Sequence, residues 1–148
     1  MRKLLVFLGV AWIAANLVGA WVSVDHERPY DLSFVDQPGS VGRIGDDWLH
    51  GWGTGLAMPL GVLAAAAVLT VLVSFGGNAT KIGGLLMAVL GAGSLAFTLT
   101  NQLTYDRLQA AEGDRAETAI IAATLVLAGL LVLIGVLTFI TTPATRRR

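Results

Sequence analysis

The chain has 148 residues, of which 55% are hydrophobic and only 14% are charged, and its mean hydropathy is +0.71. Soluble domains carry roughly 25% charged residues, so this composition argues against a soluble globular protein. The formal net charge of zero offers no basic surplus for nucleic acid. The absence of cysteine excludes disulfides, thiolate metal sites and cysteine nucleophiles.

Four stretches without an ionisable residue occupy most of the chain. They cover residues 4–24, 53–75, 82–100 and 118–142, or 21, 23, 19 and 25 residues. A helix needs about 20 apolar residues to cross a hydrocarbon core of about 30 Å, and these runs are too long for barrel strands. We therefore predict a single all-α transmembrane domain, a four-helix bundle with outer loops at residues 25–52 and 101–117.

The charged residues predict the orientation of these spans. If the chain alternates across the membrane, six basic residues and no acidic one share one side, while four basic and all ten acidic residues share the other. The six are Arg2, Lys3, Lys81, Arg146, Arg147 and Arg148. Because cytoplasmic flanks are rich in Lys and Arg, both chain ends are expected in the cytoplasm. The short cytoplasmic segments favour a bacterial inner (cell) membrane.

The first span has an alternative interpretation. A basic start, an apolar run and the small residues Val18, Gly19 and Ala20 also fit a signal peptide cleaved after residue 20. The uncharged run continues through Val24, beyond a typical signal-peptide core, which favours a retained helix.

The first outer loop carries a weaker structural signal. Residues 30–35 alternate apolar and polar side chains, residues 37–40 form a turn signal, and residues 41–44 can return, which predicts a short β-hairpin. Aromatic residues at the outer membrane interface are expected to anchor the chain in the lipid headgroups. These interface anchors are Trp21, Trp48, Trp52 and Tyr105.

Small residues at helical spacing predict close helix packing. In the third span they are Gly84, Ala88, Ala92 and Ala96, and in the second span they are Ala57, Gly61 and Ala65. The six-residue link between these spans makes them an antiparallel pair, so the two faces are expected to meet; docking of a partner's helix is the alternative. Asn16 is the one amide well inside a span and is expected to bond a neighbouring helix.

Ionisable residues just outside the first two spans form a possible divalent-metal site, for example for Zn²⁺. If residues 46–50 are helical, His50 shares a face with Asp46 and Asp47, and His26 and Glu27 leave the first span at the same level. Imidazole and carboxylate groups suit such an ion. A hydrated rim or a helix cap explains the same residues more simply.

No serine-nucleophile, phosphate-loop or haem motif points to an enzyme, and the predicted spans hold no ionisable residue that would mark a proton pathway. We therefore expect a non-catalytic accessory, scaffold or assembly subunit that binds other membrane proteins or itself. Its first outer loop, with Tyr30, Phe34 and Trp48, would be the recognition surface. The alternatives are a membrane-surface metal site or enzyme and an oligomeric channel or transporter. The channel would be lined by Asn16, Ser94, Thr98 and Thr124.

Overall fold

The computed structural model describes residues 1–36, 38–109 and 114–143, and within these ranges the regular structure is helical. The elements are α1 (Arg2–Asp25), a 3₁₀ turn (Val41–Arg43), α2 (Ile44–His50), α3 (Leu60–Ser74), α4 (Gly77–Thr100), α5 (Gln102–Gln109) and α6 (Arg115–Thr141).

Helices α1, α3, α4 and α6 form an antiparallel ring. α1 contacts α3 and α6, α4 contacts the same two helices, and the most extensive contact joins α4 to α6. At one end, which we call the acidic end, α1 finishes, α4 finishes and α6 begins. At the opposite, basic end, the Thr141 hydroxyl lies 3.3 Å from the Met1 sulfur. The centre of the ring holds fully buried Leu5, Trp12 and Met87.

Three of these helices, α1, α4 and α6, are long and apolar enough to cross a membrane. The all-helical prediction thus holds for the described residues, and an integral membrane protein is consistent with it. α3 is shorter than the predicted second span, because its 15 residues begin at Leu60 and not at Gly53. At about 1.5 Å per residue it rises about 22 Å, against a hydrocarbon core of about 30 Å.

The missing part of the predicted second helix, residues 53–59, is irregular backbone that we call the unwound segment. Gly53 has φ +99°, a left-handed conformation that a helix does not contain, and a Cβ there would lie 2.5 Å from the Ala57 carbonyl oxygen. Pro59 lacks an N–H and stands immediately before the first turn of α3. An uncharged sequence does not distinguish a buried helix from buried irregular backbone. The prediction from hydropathy therefore began the second helix too early in the chain.

The predicted β-hairpin is not confirmed. In the described part of the first loop, Leu32 forms an isolated bridge with Asn101, while residues 41–43 make a 3₁₀ turn that leads into α2. Ser33 donates its N–H to the Thr100 carbonyl, so this stretch is bound to the end of α4. Two short strands alone are marginal in water, and the helix end supplies an alternative partner.

The α4–α6 contact has the spacing of a left-handed coiled coil. Buried positions alternate three and four residues apart on both helices. They include Thr80, Gly84, Met87, Gly91, Ser94 and Thr98 on α4, and Glu117, Ile121, Thr124, Ala128, Leu131, Gly135 and Thr138 on α6. A Cβ on Gly91 would lie 2.7 Å from the Ala128 carbonyl oxygen, so glycine permits the close approach of the two backbones.

This spacing changes the partner expected for the small residues. Gly84 and Ala88 lie against α6 at Gly135, and not against α3. Ala92 and Ala96 are exposed, because a strict four-residue step rotates about 40° per repeat around a helix of 3.6 residues per turn.

The small residues of the predicted second span do not form a shared face. Ala57 is buried in the unwound segment, whereas Gly61 and Ala65 face outward on α3. The structure thus does not bring the two predicted faces together.

Candidate functional site

The polar side chains of the fold concentrate at the acidic end, around the unwound segment. Irregular backbone at membrane depth is tolerated only where protein or water satisfies its polar groups. Here the surrounding side chains and loops do so almost residue by residue.

Each N–H from Gly53 to Met58 has an acceptor. The first three are bonded to backbone carbonyls of Asp47, Ala57 and Arg28, at 3.0, 2.9 and 3.0 Å. The Leu56 N–H donates to the Ser23 hydroxyl at 3.2 Å, and the Ala57 N–H donates to the Thr54 hydroxyl at 3.0 Å. Pro59, which has no N–H, completes the segment.

Two buried asparagines hold the segment from opposite sides. Asn16 accepts the Met58 N–H at 3.0 Å through its side-chain oxygen and donates to the Trp12 carbonyl. Asn101 donates its side-chain amide to the Gly55 carbonyl at 3.2 Å. The interhelical bond expected of Asn16 is therefore made to the unwound segment, since its backbone supplies the unsatisfied donors.

A second group of polar residues, His26, Arg28, Asp114 and Glu117, joins the end of α1 to the start of α6; we call it the ion cluster. Glu117 is fully buried, and its Oε1 accepts from Arg28 Nε at 2.7 Å and lies 3.0 Å from His26 Nδ1. The same imidazole nitrogen lies 3.1 Å from Asp114 Oδ2. The Arg28 guanidinium and the His26 imidazole therefore face a carboxylate that has no contact with solvent.

Local backbone geometry explains how the cluster forms. Glu27, exposed and at φ +55°, ends α1 in a left-handed conformation, and the Arg28 N–H returns to the Ser23 carbonyl at 2.7 Å. These features are typical of a Schellman motif, which turns the chain back toward the helix. Across from it, Asp114 caps α6 by accepting the Ala116 N–H at 2.8 Å.

The ion cluster contains the atoms that a divalent metal requires. Ligand atoms of His26, Asp114 and Glu117 lie within 4.8 Å of one another. A His and two carboxylates can bind Zn²⁺ or a harder divalent ion. Arg28 opposes this use, because its guanidinium already binds Oε1 of Glu117 and would stand beside the ion.

The residues predicted as a metal site are divided between two places. His26 belongs to the ion cluster, and the structure does not place its neighbour Glu27 there. His50 Nδ1 lies 3.2 Å from Asp46 Oδ1 on α2, one helical turn away as expected, but this pair is on the exposed surface. The backbone carbonyl of Asp47 accepts hydrogen bonds from the N–H groups of Gly51 and Gly53.

A surface ion pair at the start of α2 shifts the pKa of the Asp46 carboxylate. Arg43 donates to Asp46 Oδ2 at 3.1 Å. This hydrogen bond, followed by that from His50, lowers the pKa of Asp46 below its ordinary value of 3.8. The same contact raises the pKa of Arg43. Both side chains remain in water, so the pair adds little to stability.

The predicted interface aromatics occupy different environments. Trp21 and Trp52 are 70% and 50% exposed, and Trp52 makes an edge contact with the 58% exposed Phe34 at a centroid distance of 5.9 Å. Trp48 is half-buried and donates its indole N–H to the Met58 carbonyl at 3.1 Å. The side chain of Tyr105 lies outside the described residues.

Glu117 is the main site residue that sequence analysis did not select. It was assigned to the outer loop because the uncharged run begins at residue 118, yet it occupies the first turn of α6. The spacing Asp114-x-x-Glu117 matches a capping box, so the sequence also allows a prediction in which this helix begins just after Asp114. No protein-family model, curated protein or solved structure matches this chain.

Proposed function

We propose that this protein is a non-catalytic membrane subunit that acts through a rigid recognition surface at its acidic end. It crosses the membrane four times, with α3 and the unwound segment together making the second crossing. Both termini lie in the cytoplasm of a bacterial cell, where the six basic flanking residues would be retained. Its partners are other membrane proteins.

The proposal rests on the polar groups at the acidic end, which bind one another and hold the backbone there in place. The unwound segment and the ion cluster bind one another, and Gly55 donates its N–H to the Arg28 carbonyl between them. The aromatic rings of Phe34 and Trp52 remain exposed beside this framework. Exposed aromatic side chains on a fixed support favour protein recognition, because little conformational entropy is lost on binding.

A channel or transporter is the first alternative. Asn16, Ser94, Thr98 and Thr124 were the expected pore lining, and all four are buried inside one protomer. Ser94 accepts the indole N–H of fully buried Trp12 at 3.1 Å. This arrangement favours interior packing over a pore shared among copies.

A metal-dependent role at the membrane surface is the second alternative, now centred on His26, Asp114 and Glu117. The geometry of the ligand atoms favours it, and the guanidinium of Arg28 counts against it. Binding of one Zn²⁺ per chain, lost in Glu117→Gln, would move the assignment to this alternative.

Site-specific photo-crosslinking in native membranes tests the recognition surface. A photoreactive residue replaces Phe34 at the acidic end or, as a matched control, exposed Ile140 near the other end of α6. We expect one protein adduct of defined mass from position 34 and lipid adducts from position 140. Lipid adducts alone at both positions would overturn the proposal, and adducts of two copies of this chain would favour the channel.

A further inference from the structure

A small, partly enclosed cavity of about 10 Å³ lies where the unwound segment meets α4 and α6. This is about the space that one water molecule requires. The residues that line it include the polar Asn16, Thr98 and Thr124 and residues 55–58 of the unwound segment. The lining contains no ionisable side chain.

Thr124 supplies an independent indication of a ligand. Its side chain is 3% exposed, and its hydroxyl has no hydrogen-bond partner among the residues that the structure describes. A buried hydroxyl without a partner costs free energy, and ordered water commonly satisfies such groups. Thr124 lines the cavity, so its hydroxyl can bond a molecule held there.

The other side of the cavity offers acceptors. The Asn16 oxygen and the Ala57 carbonyl each accept one bond, from the N–H groups of Met58 and Thr54. An amide oxygen has two lone pairs, so each retains capacity for a second donor. Water can thus accept from Thr124 and donate to this side, whereas a larger organic ligand does not fit.

We propose that this cavity binds one water molecule, which connects the Thr124 hydroxyl of α6 to the unwound segment. The bridge fixes the irregular backbone against α6, in addition to its bonds from α1 and Asn101. It is a structural ligand of the single chain, and it does not depend on the proposed recognition function.

Thermal unfolding of Thr124→Val in detergent, followed by tryptophan fluorescence, tests this inference. Thr138→Val is the matched control, because the Thr138 hydroxyl is equally buried and lacks a partner in the described structure, on the same face of α6 beside Gly84. Loss of a water-bridged bond should lower the Tm of Thr124→Val by about 2–4 °C. Thr138→Val should keep or raise the Tm.

Two further results decide the ligand. The full-length protein should show a water cross-peak at an amide of the unwound segment by NMR, and Thr124→Val should lose it. A Tm that rises in Thr124→Val, as in the control, or the lack of this cross-peak in the unaltered protein would overturn the inference. A Tm that increases with Na⁺ but not with choline at equal ionic strength would overturn it in favour of a cation.

Discussion

Substitution of Glu117 should show how much the buried carboxylate contributes to stability. Glu117→Gln preserves the shape of the side chain and one oxygen acceptor but removes the charge that faces Arg28 and His26. A hydrogen bond to a charged group contributes about 1.5–3 kcal/mol, against about 0.5–1.5 kcal/mol for a neutral one. The two bonds at Oε1 thus predict a loss of about 2 kcal/mol before solvent is considered.

Solvent reduces this figure, because the side chains of Arg28 and His26 are 36% and 30% exposed and can hydrate when the charge is removed. We therefore expect Glu117→Gln to lower the free energy of unfolding by about 1–2 kcal/mol, and Glu117→Ala by about 3 kcal/mol, since alanine also leaves a void. Reversible unfolding in mixed detergent micelles, followed by tryptophan fluorescence, measures the change. Asp46→Asn, in an exposed ion pair at the same end, is the control and should be indistinguishable from the unaltered protein. Equal effects of Glu117→Gln and Asp46→Asn would refute the reasoning.

Three further changes test separate parts of the structure. Gly91→Ala should cost about 1–3 kcal/mol because a Cβ there meets backbone of α6, whereas Gly93→Ala, with nothing within 4 Å, should be neutral or stabilising; similar unfolding curves would contradict the α4–α6 packing. Asn16→Leu should cost about 1–3 kcal/mol by leaving a buried N–H in the unwound segment without its acceptor, and wild-type stability would contradict that bond. Because the pKa of Asp46 is lowered in the folded state, the small stabilisation that this exposed pair provides is present above the unfolded-state pKa and is lost as pH falls through the folded-state pKa. Arg43→Gln should raise the pKa of Asp46 toward 3.8 in a carboxyl ¹³C NMR titration, and an unchanged pKa would exclude the guanidinium as its cause.

The helical class could be predicted because hydropathy and run length report directly on membrane-compatible helices. Hydropathy could not identify the unwound segment, since residues 53–59 are as uncharged as a helix. Ser23 and Asn101, which form hydrogen bonds with the backbone of this segment, are distant from it in sequence and contact it only in the folded chain. The left-handed φ of Gly53 is a property of the folded backbone, although the Gly and Pro content of the segment gave a local indication.

The site residues were missed for a related reason. Glu117 carries a charge and adjoins an uncharged run, so a rule based on charge assigned it to solvent. Its burial depends on Arg28, which is brought near by the chain reversal at Glu27. The small-residue stripe was traced with a constant four-residue step, whereas the packed face of α4 alternates three and four residues. Ala92 and Ala96, which were predicted to belong to the packed face, are consequently exposed.

The mass of the intact complex extracted from native membranes tests the central claim most directly. The tagged full-length chain is isolated in mild detergent and measured by native mass spectrometry, in parallel with a variant carrying Phe34→Ala and Trp52→Ala. The proposed subunit function predicts a stoichiometric complex with a second membrane protein, and its loss in the double variant while the chain remains folded. Recovery of the chain alone, or of the same complex from both preparations, would contradict recognition through the acidic end.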